Sequence, residues 1–431
     1  MKKRSLSVIL CLSILMTGCQ SVTESSETAD TSATSVPVET SAEVSDTDTT
    51  TDTKVQPDLH HDYIPQGEGY FSLFDIGYGT QIKAQLAGTC WAHSASTGIE
   101  SVYKRLHDRD ITIDPISIVS QVYTRGREEG FLLKDGIPRL DAGGDAMQVV
   151  FTGAYGMDGG FTVVEAEIYD PEDVDLIKSV IRDKGAVIIG VPDQDSQINY
   201  VDNYITLHAP DAEIDHAVVL VGWDDDFPKE YFVDGPEENG AWLAQNSSGG
   251  SGLYWISYGT MIEEPCTITV SDEYSEVAGY DCGTFDEVST GDQTTVANVF
   301  HQAGNLSAVG LVASKGQHVS VEVMDGQFGD VLATVEGTFD EPGYYVLELP
   351  EELEVSDYTI AATYDGTAPI EGSPDYEDFL MRIVCTSHPG ESFINVNGQW
   401  MDMSESDAAT AAGFDGLLNN CCLKGLYVST Q

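Results

Sequence analysis

Basic side chains are scarce: of 431 residues only 19 are Lys or Arg, against 72 Asp or Glu, a formal charge of −53 at pH 7. A surface of that sign repels phosphate backbones, which argues against nucleic acid as a partner. Metal and nucleotide signatures are missing too. No Cys-x-x-Cys occurs, the His60-His61 pair lies in a polar low-complexity stretch, and there is no glycine-rich phosphate loop, so neither a metal nor another cofactor is expected. Long apolar runs are also lacking, because the one from Ser5 to Met16 is too short to cross a bilayer comfortably. What the chain does have is an apolar share of 41% with 20 Tyr, 14 Phe and 5 Trp. That supports sizeable cores, excludes disorder throughout, and at this length suggests two or three domains. The acidity suits a protein that must stay dispersed in a salty exterior.

The N-terminus carries an address. Met1 to Arg4 is basic, Ser5 to Met16 is apolar, and Met16-Thr17-Gly18-Cys19 is a small-residue cleavage site, so residues 1–18 read as a signal peptide. The cysteine at its end resembles the bacterial lipoprotein signal, with Met16 where Leu is usual. That resemblance implies a diacylated Cys19 as first mature residue and a chain anchored to the outer face of a bacterial cytoplasmic membrane. Ordinary secretion with loss of Cys19 is the alternative. Residues 19–62 form an acidic Ser/Thr-rich tether: between Gln20 and Asp58 there is no aromatic residue and Lys54 is the one basic side chain.

The segment Gln85-Leu-Ala-Gly-Thr-Cys90-Trp91-Ala-His93 places a thiol after a small-residue turn and at the head of a helix whose apolar positions are Trp91, Ala95, Ile99, Val102 and Leu106. A helix N-terminus favours the thiolate, the nucleophilic form. Taken alone, such a cysteine beside Trp is more often core than catalyst. Further along, Asp215-His216-Ala-Val-Val-Leu-Val-Gly222 reads as an apolar strand opening on His216. Gly240-Ala-Trp-Leu-Ala-Gln-Asn246-Ser-Ser places Asn246 at the turn between two strand runs.

In this order and with these flanks, the three residues resemble the papain-like cysteine peptidases. The resemblance covers about residues 66 to 265. It implies Cys90 as nucleophile, His216 as the base paired with the thiol, Asn246 as the residue that orients the imidazole, and Gln85 with the Cys90 amide as oxyanion donors. Gly143-Gly144 resembles the glycine pair whose backbone binds extended peptide. Three departures accompany it. Gln85 lies five positions before Cys90, one fewer than usual; Ser248 stands where the family has a shielding Trp; and His93 replaces the usual Phe, as core packing or as a contact to the site. Asp170-Pro171 is expected to open a helix with the proline in its first turn and an apolar stripe at Val174, Ile177 and Ile181. The tether has too little apolar content for a helical inhibitory domain, so none is expected upstream of residue 60.

The fold class implied is α+β: a papain-like two-lobed peptidase at residues 63–270, helical lobe first, followed by an all-β sandwich at 271–431. Strict alternation in His318 to Met324, with strand runs at Tyr344 to Leu349, Tyr358 to Tyr364 and Phe379 to Val384, supports the sandwich. Its pattern resembles the lectin-like domain that follows the peptidase in some secreted bacterial members. Glycans are thus one expected partner of this part, packing against the enzyme its alternative role. With Cys11 removed alongside the signal peptide, Cys19 acylated and Cys90 reactive, five of the eight cysteines remain, and Cys266 with Cys282 is the first pairing to consider, since adjacent Cys421 and Cys422 cannot easily bond each other. Three functions stay open: an exported thiol endopeptidase acting on peptides or proteins, a cell-wall peptide amidase, and a catalytically weak adhesin working through its β-domain.

Overall fold

The helix that begins on Cys90, α1 (Cys90–His107), is buried along Trp91, Ala95, Ile99 and Val102, whereas Leu106 in the last turn faces solvent. No acid occupies its first turn, but Lys104, Arg105 and His107 sit in the last, charges that complement the C-terminal end of the helix dipole. The computed structural model describes residues 63–124, 128–193, 195–247, 252–372 and 380–429. The signal peptide, Cys19, the tether with His60-His61, and Ser248 lie outside them. Pro65–Gln431 falls in one compact unit.

The next three helices start on side-chain caps that the sequence supplies. Asp114 accepts the amide of Ile116 at the head of α2 (Pro115–Val122), Asp145 that of Gln148 at α3 (Ala146–Gly153), and Asp173 that of Leu176 at α4 (Val174–Asp183). The expected helix at Asp170-Pro171 therefore begins later. Asp170 closes a turn by accepting the amide of Glu172, which leaves Pro171 ahead of the helix and hands the cap to Asp173. The stripe holds at Ile177 and Ile181, both fully buried, while Val174 is half-exposed.

One long sheet carries the first part of the chain. Strand His216–Asp224 lies between Val187–Val191 and Ala241–Gln245, and Leu253–Ser257 follows, all three pairings antiparallel. On the other side, Val187–Val191 is flanked by Glu263–Ser271 and then Thr162–Ile168. All nine residues of His216–Asp224 are buried, as a strand covered on both faces must be. α1 lies close on Val187–Val191: a Cβ on Gly98 would meet Ile188 Cγ1 at 2.6 Å.

The same sheet continues into the later residues. The outer edge of Thr162–Ile168 pairs with Gly343–Val355, whose register runs Gly343 to Glu167 and Tyr345 to Glu165. A Cβ on Gly343 would lie 1.9 Å from the carbonyl oxygen of Ala166, so only glycine allows the approach. Gly304–Ala313, Leu423–Val428 and Glu276–Ala278 extend the sheet beyond it, while Tyr204–Leu207 and Ile198–Val201 close its other end and Tyr70–Ser72 pairs with His216–Asp224. Facing it, a six-stranded sheet runs in the order Val331–Thr338, His318–Asp325, Tyr358–Asp365, Gln293–Phe300, Ser392–Val396, Gln399–Asp402. Val319, Val321, Val323, Ile360 and Ala362 from the second sheet share one core with Leu306, Val309, Leu311 and Tyr345 from the first. The short helix α5 (Ser406–Ala412) adds Ala408 and Ala409 to that core. The strand expected from Phe379 is observed as Met381–Val384 and pairs with Gly130–Leu133, a second bridge between the early and late parts.

None of the described cysteines is joined in a disulfide, and their neighbours differ from the first expectation. Cys266 is buried within Glu263–Ser271, opposite Ile188 and Ile168, whereas Cys282 Sγ stands 3.2 Å from Cys385 Sγ. Sequence proximity suggested Cys266; the turn after Glu276–Ala278 carries Cys282 towards the end of Met381–Val384 instead.

Ending the chain after Ser271 would expose the ladder edges of Thr162–Ile168 and Gly130–Leu133 together. Residues 63–271 are expected to aggregate, while the longer chain remains monodisperse, as light scattering on a sizing column would read. A soluble, cooperatively unfolding 63–271 fragment would contradict this.

Candidate active site

Cys90 is the first residue of α1 and only 2% exposed. His216 is the first residue of its strand, opposite Val191, and 1% exposed. Asn246 follows directly on strand Ala241–Gln245, and its Oδ1 lies 2.9 Å from His216 Nε2. That bond places the proton of a neutral imidazole on Nε2 and leaves Nδ1 as the basic nitrogen. The backbone amide of Asn246 donates to Gly252 O at 2.8 Å, which closes the turn behind it.

The neighbours of these residues converge. One small pocket is lined by Trp91, which follows Cys90, by Ala217, which follows His216, and by Asp145, which follows Gly144. A second gap on the other side of α1 is lined by His93 and Thr97 together with Asn246 and Ser247. The head of α1 is thus bracketed by the His216 strand on one side and the Asn246 turn on the other.

Gln85 is held by the residue next to Asn246. Its amide donates to Ser247 O at 2.7 Å, and its side-chain Oε1 accepts the Ser247 hydroxyl at 2.6 Å. Its Nε2 donates to Ala87 O at 3.1 Å. The shortened loop before Cys90 is therefore anchored through Ser247, an anchor that the sequence pattern does not reveal. Gly143, at a φ of 71°, adopts the left-handed conformation open to glycine, and a Cβ on Gly144 would strike the Trp91 ring at 2.6 Å. The Gly143 carbonyl accepts the Tyr123 hydroxyl at 3.0 Å. His93 packs inside: it is buried, its Nδ1 is 2.9 Å from Thr89 O, and burial holds its pKa below the usual value, so it is neutral at pH 7.

Two further features were not singled out in the sequence. Lys83 Nζ bridges to Glu100 Oε1 at 2.8 Å and donates to Ser96 Oγ, while Glu100 also accepts the Ile113 amide at 2.7 Å. This half-sequestered network ties the loop of Gln85 to α1 and to the approach of α2. The second is the chemistry of the pocket beside Trp91. Its walls are Ile188, Ile189, Ile214 and Ala217, but it also holds Glu263 and Asp145. A register shift between Glu263 and Cys266, with Glu264 at a φ of 45°, marks the bulge that carries Glu263 there. Burial raises the pKa of both carboxyls, that of Asp145 to about 6, and among the described residues Asp145 Oδ2 has no hydrogen-bond partner.

Residues 279–425 match the family described as Lectin like domain. The chain superposes on the Clostridial cysteine protease Cwp84 after propeptide cleavage with a TM-score of 0.70 at 19% identity, over 84% of this chain and 99% of that one. A structure of the cysteine protease and lectin-like domains of Cwp84, a surface layer associated protein of Clostridium difficile, gives 0.71 at 19% identity, over 85% and 90%. No curated protein matches the chain. The fold is that of a papain-like peptidase followed by a lectin-like β-sandwich, the α+β architecture expected from the sequence.

The raised carboxyl of Asp145 has a pH signature. Its neutral form is fully tolerated below the unfolded value of 3.8, and stability is lost as pH rises through about 6. Asp145→Asn keeps the α3 cap and removes the buried charge. The variant is expected to match the parent near pH 4 and to exceed it by about 3 kcal/mol at pH 7 to 8 in urea unfolding. A difference independent of pH would contradict a strained buried carboxylate.

Proposed function

We propose that this chain is an exported cysteine endopeptidase that hydrolyses peptide bonds through an acyl-enzyme. The observation that carries the reading is the 2.9 Å bond from His216 Nε2 to Asn246 Oδ1 beside a helix that begins on Cys90. Neighbours of the same fold that are named cysteine proteases support it.

In this mechanism Asn246 fixes the His216 tautomer, so that Nδ1 takes the proton of Cys90. The thiolate attacks the scissile carbonyl carbon, and a C–S bond forms. The resulting oxyanion is met by the Cys90 backbone N–H and by the Gln85 Nε2 hydrogen that Ala87 does not use. Protonated Nδ1 then gives its proton to the leaving nitrogen as the C–N bond breaks. Water enters, loses a proton to Nδ1 and attacks the thioester, releasing a carboxylic acid and restoring the thiol. Gly143 and Gly144, without side chains, let the substrate backbone approach as an added strand. The pocket holding Glu263 and Asp145 gives the specificity: apolar walls take the stem of a Lys or Arg side chain, and the carboxylates take its charge.

The address completes the proposal. Residues 1–18 are a signal peptide, Cys19 is the lipidated anchor, 19–62 a tether, 63–270 the peptidase and 271–431 the lectin-like domain, with glycans as its candidate ligands. An exterior location is in keeping with a fold neighbour described as surface layer associated.

The test is digestion of a diverse peptide library by the chain from residue 58 onward, read by mass spectrometry beside Cys90→Ala. Cuts that disappear in the variant, with alkylation of Cys90 proceeding well below the pH at which a thiol of pKa ~8.5 reacts, are expected. No cuts in any reducing condition would transfer the reading to wall-peptide amidase or adhesin. Among the cuts, Lys and Arg are expected at one fixed position before the scissile bond. Glu263→Gln should lower kcat/KM for those substrates about tenfold while leaving Leu substrates unchanged. Equal losses for both would remove Glu263 from substrate recognition.

A further inference from the structure

A cavity of about 690 Å³ opens where the end of α3 meets the segment Gly279 to Cys282, and its lining includes none of the residues assigned to peptide hydrolysis. At its wall three groups from separate segments meet. Cys282 comes from the turn after Glu276–Ala278, Glu371 follows Ala368–Ile370, and Cys385 follows Met381–Val384. One ligand atom of each lies within 4.8 Å of the other two. Glu371 and Cys385 are buried at 2% and 7% exposure, and Cys282 is half-buried on the cavity side.

The carboxylate is oriented from behind, as a ligand would need to be. Glu371 Oε1 accepts the Cys282 amide, and Oε2 accepts Asn420 Nδ2 at 3.0 Å. The nearby cation, Lys424, is committed to Asp281 in a buried ion pair. The cluster therefore gathers two thiols and a carboxyl while the nearest described lysine is already paired. The sulfurs stand 3.2 Å apart. Two thiolates at ~2.3 Å from one tetrahedral ion would be separated by about 3.8 Å, an opening that side-chain rotation supplies.

We propose that Cys282, Cys385 and Glu371 bind one thiophilic divalent cation of the zinc type. On binding, each thiol releases its proton to solvent, two thiolates and one carboxylate ligate the ion, and the fourth position faces the cavity and holds water. Two sulfurs select such an ion over calcium or magnesium, which take oxygen. The ion fastens together three segments of the lectin-like part, one of which is the strand paired with Gly130–Leu133. The site does not depend on the peptidase reading.

The test uses the full chain carrying Cys90→Ala, so that the Cys90 thiolate cannot contribute to the charge-transfer band. It is reduced, kept anaerobic and titrated with Co²⁺, with Zn²⁺ as competitor. One equivalent of Co²⁺ is expected to raise a thiolate-to-cobalt charge-transfer band that Zn²⁺ abolishes, to raise Tm, and to bind more tightly as pH rises. Adding Cys385→Ser should remove the band. Asn420→Ala, which frees the carboxylate from behind, should weaken binding about 10- to 100-fold. Absence of the band in the reduced parent, which needs no further folded variant, overturns the proposal. So does a band that survives Cys385→Ser, and so does isolation of the native chain with Cys282 and Cys385 joined as a disulfide that takes no cobalt after reduction.

Discussion

The close approach of α1 to the strand Val187–Val191 sets the geometry on which the site depends. At Gly98 the helix meets Ile188 with no room for a side chain. Two turns earlier, ~12 Å back along the axis at 1.5 Å per residue, lies Cys90. Three residues beyond Ile188 is Val191, paired with His216. A helix and a strand are both stiff over such distances, so one contact at Gly98 constrains where the head of α1 lies relative to the strand that opens on His216. A larger residue there would lever the head of α1 away from His216 rather than merely loosen the core. The Lys83–Glu100 bridge adds a second restraint on the same helix, next to Gly98 in sequence, and carries the loop of Gln85 with it.

The late part of the chain is joined to the substrate face and does not simply trail behind. Met381 Sδ lies 3.5 Å from the Tyr123 hydroxyl and 3.3 Å from Gln148 Nε2. Tyr123 in turn holds the Gly143 carbonyl, and its ring meets Trp91 edge-on. A chain of packed groups therefore runs from the strand Met381–Val384 through Tyr123 to the glycine pair and to the residue after Cys90. A lectin-like part that supplies one strand and one methionine to the packing around Tyr123 and Gly143 would contribute to the proposed cleft, whatever its own surface binds.

Much of this was readable locally, for physical reasons. Cys90, His216 and Asn246 each sit where a secondary-structure element begins or ends, and such boundaries leave marks in a few neighbouring residues: a small-residue turn, an apolar run, a glycine-rich bend. The alternation of His318 to Met324 is similarly local, and its buried face follows directly. Features that depend on distant parts of the chain left no such mark. Nothing around Lys83 announces Glu100, and nothing near Cys282 points to Cys385, more than a hundred residues later, so proximity in sequence favoured Cys266 instead. Asp145 shows the intermediate case. As a helix cap it was legible in principle from its spacing to Gln148, but its burial, and with it the raised pKa, comes from the elements packed around it. Pro171 was misplaced because two acids, Asp170 and Asp173, competed for the same turn, and the second one won the cap.

The charge of the chain acquires a more specific meaning beside the proposed chemistry. At physiological ionic strength fields fade over about 8 Å, so most of the 72 acids act on solubility and little else. Glu263 and Asp145 differ, because they line a pocket adjoining Trp91 and Ala217 and are partly withdrawn from screening. A basic substrate side chain entering there would relieve the cost of holding two carboxyls in poor solvent, so binding would be strongest at pH values where both are ionised. Hydrolysis then creates a new carboxylate on the product that retains that side chain. Held near two others, the product is bound less firmly than the uncharged peptide link it came from, and the same carboxyls that draw the substrate in would help to expel what it becomes.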